Sequence, residues 1–130
     1  MDNKALIDMA LKAMENAYAP YSGFKVGAAL LCSDKKVYTG CNIENSSYGA
    51  SNCAERTAIF KAVSEGEREF EKIAIVSSSG DFTFPCGICR QVLSEFMYDK
   101  TVVLFSEKDG IREFKVKELL PEAFRLQRGN

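Results

Sequence analysis

Three cysteines divided between two short segments constrain this chain more than any other feature. They lie in Cys53-Ala54-Glu55 and in Pro85-Cys86-Gly87-Ile88-Cys89. Each segment stands where a loop gives way to helical spacing of apolar residues. Ala54, Ala58, Ile59, Ala62 and Val63 follow the first, and Ile88, Val92, Leu93, Phe96 and Met97 continue the second. A helix N-terminus exposes unpaired N–H groups and the positive end of its dipole. Both favour a thiolate over a thiol. If the two helix starts face each other, three thiolates meet at one point, and Cys86 and Cys89 reach it from a single helical turn.

The remaining pattern suits such a fold. Leu6, Met9, Ala10, Ala13 and Ala17 give residues 3–17 near-helical spacing, broken at Pro20 and Gly23. Residues 25–32 and Val37–Ile43 read as an antiparallel hairpin across the polar turn Ser33-Asp34-Lys35-Lys36. Glu44 to Asn52 is polar and reads as a loop, as does Ser78–Pro85. Ile73–Ser77 and Thr101–Phe105 are short apolar strands. Helices are expected over Cys53–Ser64, stopped by Gly66, over Gly87–Tyr98, and over Val116–Leu120, stopped near Pro121. The order αββαβαβ with a short tail predicts an α/β fold, helices layered on one mixed sheet, in a single domain spanning 1–130.

Composition removes whole classes of chemistry. There is no histidine, which excludes Ser-His-Asp and Cys-His nucleophilic catalysis and any His-ligated zinc site. Acid–base work falls to Asp, Glu, Lys, Tyr, Cys or a metal-bound water. The net charge is −1 and the 17 basic residues are scattered. Polyanion binding needs clustered Lys and Arg, so no nucleic-acid partner is expected. No apolar run approaches the roughly 20 residues of a membrane span. The N-terminal stretch reads as an amphipathic helix rather than a signal peptide, so no membrane partner and a cytoplasmic location are expected. Five cysteines, an odd number, favour free thiols or metal ligands over a disulfide framework.

Zinc binds thiolates, and three protein ligands leave its fourth position open to water, the arrangement of a catalytic rather than a structural site. One Zn2+ per chain, held by Cys53, Cys86 and Cys89, is the expected cofactor. Glu55, two residues from a ligand, is placed to accept a proton from the water and pass it on. Zinc with three thiolates carries an excess negative charge that a nearby cation offsets. Arg56 is expected to hydrogen-bond the sulfurs, with Arg90 a weaker candidate. Plainer readings exist for each residue. Cys86 and Cys89 could form a redox pair, Cys32 or Cys41 could close a four-sulfur structural site, and Glu55 could merely complement a helix dipole.

These segments resemble the cytidine deaminase family, in its small, all-cysteine, homotetrameric branch. The likeness extends to Tyr21-Ser22-Gly23-Phe24-Lys25-Val26-Gly27-Ala28-Ala29, to Gly40-Cys41-Asn42-Ile43-Glu44-Asn45, and to Leu119-Leu120-Pro121-Glu122-Ala123-Phe124. It implies a three-layer α/β/α sandwich around one mixed sheet. It implies a homotetramer with sites shared between subunits and a small-molecule nucleoside as substrate. By the same resemblance Asn42 and Glu44 bind the ribose 3′-hydroxyl, Phe24 packs on the base and the backbone of Ala54 binds the pyrimidine carbonyl. Tyr48 lines a site across the interface, and Phe124 stacks on the base from a neighbouring subunit. The implied reaction is hydrolytic deamination of cytidine and deoxycytidine, with zinc hydroxide attacking C4 and Glu55 shuttling protons. Competing readings are deamination of a modified cytosine nucleoside such as blasticidin S, and a zinc module without catalysis. Without the resemblance, Asn42 could cap a turn, Glu44 could be a surface carboxylate, and Phe24 and Phe124 could be core residues.

Overall fold

The computed structural model describes residues 1–128. Helix α1 (Asn3–Met14) is capped by Asp2, whose Oδ1 accepts from the Ala5 N–H at 2.8 Å. Strands β1 (Val26–Cys32) and β2 (Val37–Cys41) form the expected hairpin. Then come α2 (Ala54–Ser64), β3 (Phe70–Ser77), α3 (Gly87–Met97) and β4 (Thr101–Ser106). The chain closes with β5 (Gly110–Lys115) and a single turn, α4 (Val116–Leu119).

The five strands make one mixed sheet in the order β2-β1-β3-β4-β5. Only β3 and β4 run parallel, as befits two strands joined through a crossover helix. Alternate side chains of the sheet enter two separate cores. Ala28, Leu30, Ile73, Ile75, Val102 and Leu104 pack with Ala58, Ile59, Leu93 and Met97 of α2 and α3. Ala29, Leu31, Ala74, Val76 and Val103 pack with Leu6, Ile7 and Ala10 of α1. The result is the expected three-layer α/β/α arrangement, and β1 is buried along its whole length because both faces are covered.

Two glycines permit the close approach of these layers. A Cβ on Gly27 would lie 2.1 Å from the Ala10 carbonyl oxygen, so β1 tolerates only hydrogen where α1 crosses it. On Gly40 it would lie 2.6 Å from both Ala54 O and Ala58 N, where α2 crosses β2.

The structure corrects the expected order in one place. Strand β5 falls in the expected tail, because its residues are exposed except Phe114, which is partly buried, leaving no apolar run to detect. It is an edge strand carrying Arg112, Glu113 and Lys115, charges that discourage pairing with another chain. Three ends also shift by two residues or more. Helix α1 stops at Met14 rather than 17, β2 stops at Cys41 with Ile43 left in isolated bridges to Tyr18 and Asn52, and β3 begins earlier, at Phe70. The loop after β2 holds one 3-10 turn at Tyr48–Ala50. Among the described residues no helix is long and apolar enough to cross a membrane.

Candidate active site

Register decides where the loops converge. Gly27 pairs with Cys41, and Val26 pairs with Ser77. The start of β1 and the ends of β2 and β3 therefore share one edge of the sheet. The segments 18–25, 42–53 and 78–86 leave from that edge and surround the starts of α2 and α3.

Cys53 and Cys86 are the N-cap residues of α2 and α3, and neither side chain makes a capping bond. Their sulfurs are free to face each other, 3.8 Å apart. Cys89 joins them from the first turn of α3, and all three Sγ atoms lie within 4.8 Å of one another. Three soft sulfur donors converging at two helix N-termini fit a zinc ion. A guanidinium lies beside one of them. Arg56 donates from Nη2 to Cys53 Sγ at 3.2 Å. Bonding to the Cys89 thiol and to Arg56 holds the Cys53 thiol down at about 5, against the effect of burial. Cys89 is pushed up by its bond to Cys53 and by burial. Arg90 does not join this cluster. Its Nε donates to Pro85 O at 2.7 Å and its Nη1 to Leu119 O at 2.8 Å, so it ties the cysteine loop to the C-terminal segment. Cys32 is fully buried in the core, and Cys41 is partly buried in β2.

A cleft of about 260 Å³ opens on the sulfurs, lined by Ser22, Phe24, Val26, Asn42, Glu44, Cys53, Ala54, Glu55, Thr83, Phe84 and Cys86. Glu55 is 4% exposed at its floor. Burial pushes its carboxyl up to about 7, opposed by the backbone N–H groups of the helix start. Such a carboxyl suits proton exchange near neutrality.

The cleft lining carries a second polar group. Glu44 Oε1 accepts from the Tyr21 N–H at 3.0 Å and the Ser22 N–H at 3.2 Å, while Oε2 accepts from the Ser22 hydroxyl. The Ser22 hydroxyl bond, above all, holds this carboxyl below the usual carboxylate range. Asn42 Oδ1 accepts from the Val26 N–H and its Nδ2 donates to Phe24 O, both at 2.8 Å. The amide thus braces the loop entering β1 and, among the described residues, keeps one N–H free for a ligand.

Most of the residues singled out by sequence therefore meet here. Tyr48 is 77% exposed and lies on the rim, its ring edge-on to Tyr21. Phe124 is outside the cleft of its own chain: its carbonyl accepts from Gln91 Nε2 at 2.9 Å and its ring is 67% exposed. The sequence reading missed Thr83 and Phe84, which form one wall of the cleft. Phe84 is held against Phe114 of β5, with ring centroids 5.4 Å apart. An aromatic directly before Pro85-Cys86 was the available signal.

A three-layer α/β/α fold with three cysteines and a buried glutamate at two helix starts defines a class, the zinc-dependent deaminases. Residues 1–105 match the family model described as the cytidine and deoxycytidylate deaminase zinc-binding region, and the chain belongs to that family. The cytidine deaminase of Sporosarcina psychrophila is 53% identical over 95% of this chain and 92% of its own length. That of Halalkalibacterium halodurans is also 53% identical, over 95% of both chains. The crystal structure of cytidine deaminase from Burkholderia pseudomallei superimposes with a TM-score of 0.91 at 50% identity, covering 95% of this chain and all of that one.

Proposed function

We propose that this chain is a zinc-dependent cytidine deaminase, converting cytidine and deoxycytidine to the uracil nucleosides with release of ammonia. The carrying observation is a buried Glu55 beside three converging sulfurs, in one cleft whose lining also includes Asn42 and Glu44. In this reading Cys53, Cys86 and Cys89 hold one Zn2+ per chain. When bound, zinc supplies the electrophile that makes water nucleophilic near neutral pH.

The chain's own groups handle the rest. Glu55 takes a proton from the attacking water and delivers it to N3 as the C4–O bond forms. It then carries the remaining proton of the new C4 hydroxyl to the amino group as the carbonyl forms and the C4–N bond breaks, so water is consumed and ammonia leaves. The Ala54 N–H, left without an intrahelical partner at the start of α2, donates to the pyrimidine carbonyl. Phe24 covers a face of the base. Glu44 and the free amide hydrogen of Asn42 take the ribose 3′-hydroxyl. A carboxylate there repels a phosphate, which favours a nucleoside over a nucleotide. Arg56 offsets the excess negative charge of three thiolates.

Residues 1–130 form one catalytic domain in this reading, acting as a homotetramer in the cytoplasm with no nucleic-acid or membrane partner. The exposed rings of Tyr48 and Phe124 support sharing of sites between subunits, and the lack of a basic cluster supports a free nucleoside as substrate. The test is loss of cytidine ultraviolet absorbance on adding the purified protein. The loss should disappear after zinc removal and return with zinc. A zinc-loaded protein that leaves cytidine untouched would refute the reading, and turnover of blasticidin S in its place would shift the substrate.

A further inference from the structure

The side chain of Thr57 belongs to neither the sulfur cluster nor the cleft lining, yet its hydroxyl joins the two ends of the site. Thr57 Oγ1 accepts from Asn52 Nδ2 at 3.0 Å. Its single proton faces the Cys41 carbonyl at 3.0 Å and the Cys53 carbonyl at 3.2 Å. Cys41 directly precedes Asn42, and Cys53 carries one of the three sulfurs. Asn52 is itself paired with Ile43, each N–H donating to the other's carbonyl at 2.9 Å. Ile43 lies between Asn42 and Glu44. One hydroxyl thus touches the strand end that presents the sugar-binding pair and the helix start that presents the metal ligand.

The approach is built into the fold. Gly40 lacks the Cβ that would lie 2.9 Å from Thr57 Cβ, so α2 sits close enough to β2 for the hydroxyl to reach across. A valine has nearly the same shape as threonine but no hydroxyl. It would keep the packing and lose all three contacts, leaving the Asn52 amide hydrogen without its acceptor.

We propose that Thr57 is a positioning residue that sets the spacing between the sugar end and the metal end of the cleft, and through it the preference for a nucleoside bearing a 3′-hydroxyl. This rests on the reading of the site given above. A substrate that engages both ends must match their separation, whereas one lacking the 3′-hydroxyl is held mainly at the base. Misplacement of the strand end therefore weakens binding of the first and not of the second.

The experiment compares kcat/KM for cytidine and 3′-deoxycytidine in the zinc-loaded wild-type protein, Thr57→Val and Thr57→Ser, with zinc content measured in each. Thr57→Val is expected to lower kcat/KM for cytidine about tenfold, carried by KM, the size expected for losing such hydrogen bonds. The value for 3′-deoxycytidine should stay within about twofold, since it lacks the coupled group. Thr57→Ser should restore the wild-type discrimination. An equal fall for both substrates, unchanged discrimination, or loss of zinc from Thr57→Val would overturn the proposal. Failure of the wild-type protein to turn over either nucleoside would instead remove the underlying reading of the site, a result distinct from all of these.

Discussion

Glu55 and Arg56 are adjacent in the chain but face different tasks. Glu55 lines the cleft, whereas Arg56 stands outside that lining and donates to Cys53 Sγ at 3.2 Å. Glu55→Gln keeps the shape and a hydrogen-bonding end but cannot accept a proton. It should retain zinc and lose on the order of 100- to 10,000-fold in kcat, the range for a positioned acid–base group. Metal analysis alongside steady-state rates checks both halves of that expectation. Arg56→Gln removes the cation from the sulfurs. It should lower zinc affinity or turnover by about 10- to 100-fold, as loss of groups that hydrogen-bond metal ligands does elsewhere. Competition with a chromophoric chelator reads the first and the absorbance assay the second. Arg56 Nε is buried with no hydrogen-bond partner among the described residues, so the charge is held there at some cost, which suits a functional role better than a stabilising one.

At the scale of elements, the site depends on how closely helices approach strands, and glycine controls that. Gly27→Ala would drive a Cβ to 2.1 Å from the Ala10 carbonyl and 2.8 Å from the Met14 nitrogen, both backbone atoms that cannot step aside. The substitution should destabilise the protein by about 1–3 kcal/mol, as overpacking does. Gly49→Ala meets nothing within 4 Å and should leave stability unchanged. Denaturant midpoints at constant slope would separate the two variants. The same elements show what could be read from the chain. The starts of α2 and α3 were legible because cysteines at a loop-to-helix change carry both a periodicity and a chemistry. Strand β1 was legible from its apolar run. Strand β5 was not, because an exposed edge strand has no buried face to impose alternation. Nor was the brace made by Asn42, whose amide spans Val26 N and Phe24 O. That contact depends on a register which composition does not reveal.

At the scale of the whole molecule, the position of Phe124 is the informative one. The C-terminal segment is tied to α3 by Gln91 Nε2 on Phe124 O and by Arg125 Nη2 on Ser94 O, at 2.9 and 2.8 Å. The Phe124 ring is exposed and does not line the cleft of its own chain. The reading of shared sites then places this ring in the cleft of a neighbouring copy. If the ring acts there, Phe124→Ala and Glu55→Gln chains are each weakly active alone but complement each other when mixed. A site formed by Glu55 from the first chain and Phe124 from the second has both groups intact. Mixed assemblies, prepared by co-expression, should exceed the mean activity of the two parents, and their mass in sedimentation should be four times the 14.4 kDa of the chain. Activity equal to the parental mean in such mixed assemblies would mean that each cleft works with its own subunit alone. The exposed Phe124 ring would then take no part in the reaction.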